Sequence, residues 1–320
     1  MDVEGDGMAT WLITGANGWL GGCVLDALGR SIGDGDRIVV LGRNRPRALS
    51  GALFVSADLL DADGLGRAVR DVSPDYVVHA AGKTPPTPDD AMYEANFWGT
   101  DRLLSALRST GKPARVVVAG SAAEVGPVAA ADLPISEDQR CRPTTAYGRS
   151  KMMATASALA GRGPLEVTVG RVFNLIGPGM PDSLAFGRFA AQLASPSADP
   201  VPILAGRLDA RRDFVDVRDA ARALIALAER GTAGRVYNVA SGESRTIREG
   251  LDRLIALSGR AARVVADPGA IRPGEVDDSR ASVARIAAEA GWRPTIGFDQ
   301  SLRDLWGSAA GGRFPLPLTA

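Results

Sequence analysis

The 320 residues hold enough apolar sequence for a sizeable core, in one large domain or two smaller ones. The 37 basic and 37 acidic residues cancel, which argues against nucleic acid or an acidic membrane as the main partner and leaves small molecules. Two cysteines, Cys23 and Cys141, and one histidine exclude the usual Cys/His zinc sites and a disulfide framework. Residues 1–8 are polar with no basic or apolar stretch, and no run reaches membrane-spanning length, so a soluble cytoplasmic protein without a signal peptide is expected.

Short apolar runs at 11–13, 37–41, 52–55, 75–79 and 115–119 alternate with stretches of helical period, the βαβα pattern of a parallel sheet. Runs at 166–170 and 235–239 extend it to about seven strands, with helices on both faces. Helices are predicted over 18–28, 89–108, 145–160, 217–229 and 247–258. Past Asn174 the alternation breaks at Gly/Pro-rich segments 177–181 and 196–202, and 214–240 returns to the sheet pattern. The chain is therefore expected to interleave two domains, 9–175 with 214–240 and 176–213 with 241–310, between loosely held termini at 1–8 and 311–320.

Directly after the first run comes Thr14-Gly15-Ala16-Asn17-Gly18-Trp19-Leu20-Gly21. Glycine every third residue between a strand and a helix permits a tight turn, close backbone approach to a pyrophosphate and close helix packing. The helix N-terminus then faces the phosphates. After the second run, where an acidic residue usually binds the ribose hydroxyls, stand Arg43 and Arg45. They either hold a 2′-phosphate, favouring NADPH over NAD, or solvate a surface loop. Asp58 reads equally as an adenine contact or a helix N-cap.

Tyr147 and Lys151 open a predicted helix, and their spacing places phenol and ammonium on one face, about 6 Å apart along the axis. A nearby ammonium lowers a phenol by favouring phenolate, and a lowering of ~3 pH units, ~4 kcal/mol, would suit acid–base work at neutral pH; Lys151 is also expected to hold the nicotinamide ribose. Ser121 lies just past a strand's carboxyl end, where open α/β sheets bind ligands, and either hydrogen-bonds the reacting oxygen or forms a turn.

The order of the glycine loop, His79-Ala80-Ala81-Gly82, Asn96-Phe97-Trp98-Gly99-Thr100, Ser121, Tyr147/Lys151, Arg171-Val172-Phe173-Asn174 and Gly177-Pro178-Gly179 resembles the extended short-chain dehydrogenase/reductases, the NAD-dependent epimerase/dehydratase family, over nearly the whole chain. The resemblance implies an α/β Rossmann domain with a doubly wound parallel sheet, a smaller substrate domain, nucleotide-sugar substrates and often a homodimer. It places NAD(P) against Gly15, Asn17, Gly18, Trp19, Leu20, Gly21, Arg43, Asp58, Leu59, Ala80, Ala81, Gly82, Asn96, Tyr147 and Lys151. Substrate would meet Lys83, Ser121, Asn174, Arg212 and Arg272, with no metal. Either arginine is a diphosphate clamp or a structural ion-pair partner. His79 is expected to pack beside the cofactor with no proton role.

Dehydratases of this family place acidic groups directly after the serine or threonine. Here Ala122 and Ala123 stand there, with Glu124 displaced by one position, which disfavours elimination of water. Segments 173–179 and 208–217 resemble the family's GDP-4-keto-6-deoxy-mannose reductases, although Val125 replaces a usual tyrosine and Lys83-Thr84-Pro85-Pro86 is an unusual loop. The expected activity is NADPH-dependent reduction of a 4-keto sugar by Ser121, Tyr147 and Lys151. The alternatives are an NAD-dependent epimerase and a non-catalytic dinucleotide sensor.

Overall fold

The structure, a computed structural model, describes residues 8–33, 35–49, 51–161, 163–195, 199–267, 269 and 276–311. In chain order the first half gives β1 (Thr10–Thr14), α1 (Trp19–Ser31), β2 (Arg37–Gly42), β3 (Leu53–Ser56), α2 (Ala62–Val72), β4 (Tyr76–His79), α3 (Asp89–Tyr93), a π turn (Glu94–Trp98), α4 (Gly99–Ser109), β5 (Ala114–Ser121), α5 (Ala146–Ala160) and β6 (Leu165–Val172). Then follow β7 (Asn174–Ile176), α6 (Ala185–Ala194), β8 (Val201–Ala205), β9 (Arg211–Asp216), α7 (Val217–Arg230), β10 (Val236–Val239), β11 (Ser244–Thr246), α8 (Ile247–Ser258), β12 (Ala262–Ala266), α9 (Ala284–Glu289) and α10 (Phe298–Ala309).

All seven predicted strands join one parallel sheet in the order β10-β6-β5-β4-β1-β2-β3. Successive side chains point to opposite faces, so Trp11 and Ile13 pack with α1 and α7 while Leu12 packs with α2 and α4. Both faces are covered, which explains why these strands read as continuous apolar runs. The five predicted helical stretches are helical. Helix α2 was not among them, although Leu65, Ala68, Val69 and Val72 bury one face; Gly64 and Gly66 weaken its local propensity.

A smaller layer holds the antiparallel pair β11-β9, with β7 parallel to β9 on its other edge, and the separate parallel pair β12-β8. Helices α6, α8 and α10 enclose its core around Phe186, Phe189, Leu251 and Leu302. Asn174 and Phe214 thus pair in this second sheet, and only α7 and β10 of segment 214–240 return to the first. Most of the predicted loose termini lies outside the described residues. Among the described residues, no helix is long and apolar enough to cross a membrane. Cys23 and Cys141 form no disulfide, and burial pushes the Cys23 thiol up to about 12.

Candidate active site

The sheet's strand order reverses between β1 and β4, and the loops leaving their carboxyl ends meet there. Gly15 has φ +79°, and a Cβ on it would stand 2.5 Å from the Ala81 nitrogen. A Cβ on Gly21 would stand 2.1 Å from the Gly15 carbonyl oxygen. Neither position tolerates a side chain, so the loop is a cradle of bare backbone at the N-terminus of α1, which suits a pyrophosphate.

This cradle is one wall of a cleft also lined by Arg43, Asp58, Leu59, Ala80, Ala81, Gly82 and Lys83. Gly15, Asn17 and Gly18 line it as well; Trp19, Leu20 and Gly21 continue into α1. The Asn17 side chain donates to the Asn44 carbonyl at 2.8 Å and so ties the glycine loop to the loop bearing Arg43. Arg43 is exposed at the cleft's edge, whereas Arg45 is exposed away from it. Trp19 is buried, and its Nε1 donates to the Pro178 carbonyl at 2.9 Å, linking α1 to the 177–179 loop. Asp61 caps α2, leaving Asp58 to accept the Leu60 N–H at 2.9 Å beside the cleft. The N-cap alternative for Asp58 is thereby replaced by a local turn.

Asn96 sits inside the π turn and is spent on the protein itself. Its Oδ1 accepts the Lys83 N–H at 2.8 Å, and its Nδ2 donates to the Lys83 carbonyl at 2.9 Å and to Ser150 Oγ at 3.0 Å. Ser150 donates onward to the Tyr147 carbonyl at 2.8 Å. Glu94 and Ala95 of the same turn line the cleft. His79 is held between Thr14 and Thr100, at 2.6 and 2.9 Å. Thr100 donates to the Asn96 carbonyl at 2.6 Å, so it accepts from the Nε2–H of His79, whose Nδ1 accepts from Thr14. Burial, reinforced by the Lys151 charge, pushes His79 down to about 3, which keeps it neutral.

Ser121 ends β5 and caps a single 3-10 turn, Ala122–Glu124. Thr145 caps α5 by accepting the Gly148 N–H at 3.0 Å, and that helix carries Tyr147 and Lys151 up to the serine. Ser121, at the end of β5, and Tyr147, in the first turn of α5, are brought together because the turn after the serine packs on Gly148 of that helix. Burial raises the phenol above its ordinary value, Ser121 pulls it down and Glu124 raises it further. The expected lowering by Lys151 is not what the fold produces. Lys151 Nζ is aimed at the Ala119 carbonyl, 2.5 Å away, and burial of the phenol outweighs helix spacing. Lys151 itself is lowered by burial and raised by Glu124.

Glu124 is the fourth residue of a Ser-x-x-Glu cap, a signal legible in the sequence itself. The structure turns it inward, fully buried, with Oε1 accepting the Ser121 N–H at 2.7 Å. Val125 is buried too, against Ile135 and Phe173. On the smaller layer, Asn174 donates to the Asp213 carbonyl at 3.2 Å, and Arg212 donates to the carbonyls of Arg211 and Val276 at 2.8 and 2.6 Å. Arg272 lies outside the described residues. Among those described, no group of His, Cys, Asp and Glu is arranged to hold a metal.

Residues 11–240 match the model of the NAD dependent epimerase/dehydratase family. The chain is 37% identical over 255 residues to the GDP-6-deoxy-D-mannose reductase of Pseudomonas aeruginosa, covering 77% of this chain and 83% of that protein. It is 30% identical over 305 residues to the dTDP-6-deoxy-L-talose 4-dehydrogenase (NAD(P)(+)) of Kitasatospora kifunensis, covering 92% and 93%. The solved structure of RMD from Pseudomonas aeruginosa complexed with NADPH superposes with a TM-score of 0.83 at 31% identity, covering 95% of this chain and 99% of that one. With that glycine cradle at the carboxyl edge of the sheet and Ser121, Tyr147 and Lys151 on β5 and α5, the chain belongs to the NAD-dependent epimerase/dehydratase family, the extended short-chain dehydrogenase/reductases.

Proposed function

We propose that this enzyme uses NADPH to reduce the 4-keto group of a nucleotide-linked sugar, with Tyr147 as the acid. The observation that carries the reading is the convergence of Ser121, at the carboxyl end of β5, with Tyr147 and Lys151 on α5, whose first turn packs on the turn after the serine. A phenol held above its ordinary value keeps its proton through neutral pH, which suits donation to an oxygen that gains charge. When bound, NADPH supplies the hydride. Ser121 donates a hydrogen bond to the keto oxygen, Tyr147 transfers its proton to that oxygen, and Lys151 orients the nicotinamide ribose.

Four features favour reduction over elimination of water. Ala122 and Ala123 carry no exchangeable side-chain proton, and Glu124 is buried behind the serine. Arg43 on the cleft supports the phosphorylated cofactor, and both curated relatives above are named for redox steps on deoxy-sugar nucleotides. On the substrate side, Lys83 and Asn174 are proposed to contact the nucleotide sugar, and Arg212 and Arg272 to hold its diphosphate. A cytoplasmic homodimer belongs to the same proposal. Trp98 and Met153, 48% and 37% exposed, lie on the π turn and α5, elements packed on each other.

The test is NADPH consumption with GDP-, dTDP-, UDP- and CDP-linked 4-keto sugars. Turnover of at least one of them with NADPH from solution is expected. Stoichiometric NAD retained through purification, with no net NADPH consumption, would overturn the reading in favour of an epimerase.

A further inference from the structure

A buried carboxylate stands behind the Ser121, Tyr147 and Lys151 cluster and takes no part in the chemistry above. Glu124 Oε1 accepts the Ser121 N–H, while Ser121 Oγ accepts the Ala123 N–H at 3.2 Å, so turn and carboxylate hold each other. Glu124 Oε2 accepts the Thr155 hydroxyl at 3.0 Å and lies 3.6 Å from Nε of Arg171, which is 2% exposed. A Cβ on Gly120 would stand 2.7 Å from Oε1, so the strand is bare where the carboxylate crosses it.

We propose that Glu124 is a positioning residue for the reaction: it anchors the turn that sets Ser121 beside Tyr147, and it stands behind the two as the anionic partner of Arg171. Three donors converge on the carboxylate, the Ser121 N–H, the Thr155 hydroxyl and the Arg171 guanidinium. The Ser121 N–H can only donate, and the Arg171 guanidinium does not lose its proton. Burial holds Glu124 above the usual carboxylate value, although Arg171, the Ser121 N–H, Lys151 and Thr155 pull against it. An anion at this place disfavours phenolate at Tyr147 and favours ammonium at Lys151. From the surrounding elements, the groups facing the cluster are Arg171 on β6, Thr155 on α5, His79 on β4 and Cys141 before α5. Arg171 Nη2 donates to Cys141 Sγ at 3.4 Å.

This inference rests on the reductase reading for its kinetic consequence and not for its test. The chain has four tyrosines, so a carbon-13 NMR titration of tyrosine-labelled protein resolves Tyr147, identified by its loss in Tyr147→Phe. In Glu124→Gln the Tyr147 titration is expected to move to lower pH by about half a unit or more, and Glu124→Asp, which keeps the charge, should recover most of that shift. In turnover, Glu124→Gln should lower kcat severalfold with KM changed by less than about twofold. A Tyr147 titration identical in wild type and Glu124→Gln would overturn the proposal. Should Glu124→Gln fail to fold, Thr155→Val removes one donor to Oε2, weakens the anion and should move Tyr147 the same way; no movement there overturns it equally. A wild-type chain that reduces no keto sugar would refute the proposed function while leaving this titration in force.

Discussion

The carbonyl oxygen of Ala123 lies 2.3 Å from the place that a Cβ on Gly148 would take. The first turn of α5 therefore rests directly on the turn that follows Ser121, and this contact sets how closely Tyr147 approaches the serine. Gly148→Ala should push the two apart and lower kcat by about ten- to a hundredfold, since displacements near 1 Å at a reacting centre cost that much. NADPH affinity, set at the glycine loop, should change little. Steady-state kinetics beside a cofactor-binding titration would show it, and an unimpaired kcat would remove Gly148 from the account.

Tyr147→Phe removes the proposed proton and keeps the ring. Turnover should fall by about 10²- to 10⁴-fold while cofactor affinity barely moves. In the wild type, with the phenol raised above its ordinary value near 10, reduction should continue through neutral pH and decline only where the phenol ionises. Activity persisting in Tyr147→Phe would mean that another group donates the proton.

Arg43→Ala tests the cofactor preference. A charge-assisted contact to a 2′-phosphate contributes about 1.5–3 kcal/mol, so KM for NADPH should rise by about ten- to a hundredfold while KM for NADH stays near its original value. Equal changes for the two cofactors would assign Arg43 to the surface loop alone.

His79 makes stability depend on acid. The folded chain refuses a proton down to about pH 3, whereas the unfolded chain accepts one near 6.5. The stabilisation from keeping His79 neutral is thus complete above about pH 6.5 and is lost as pH falls toward 3, on the order of 4 kcal/mol in all. Urea unfolding at a series of pH values should show a shallower acid decline for His79→Gln than for wild type, and parallel curves would contradict the assignment.

Trp19 offers a purely structural test. Trp19→Phe keeps most of the buried ring but leaves the Pro178 carbonyl without its donor, which should cost about 1–3 kcal/mol in chemical denaturation. A loss near zero would show that the 177–179 loop holds its place without α1.

The sheet was legible because its inner strands are buried on both faces and so are mostly apolar, whereas the edge strand β3 leaves Leu53 and Ser56 exposed. The glycine loop was legible for a similar local reason: Gly15 and Gly21 are needed where backbone meets backbone. Ser121, Tyr147 and Lys151 could be named from spacing and position along the βαβ series. The π turn could not, because it forms where Asn96 reaches both Lys83 and Ser150, residues 13 and 54 positions away. Trp19 is similar, since its partner Pro178 is 159 residues distant.

By itself, then, the sequence determined the α/β class, the strand sequence of the large sheet and the identities of the chemical groups, all of which follow from periodicity and residue type over short windows. Tertiary structure alone decided what those groups feel. Spacing on a helix predicted a phenol lowered by Lys151. The fold buries that phenol, turns Lys151 toward the Ala119 carbonyl and sets Glu124 behind both, and desolvation with a neighbouring anion reverses the direction. A proton's affinity depends on everything within a few ångströms, and the Glu124 cluster draws that neighbourhood from β5, β6 and α5 at once.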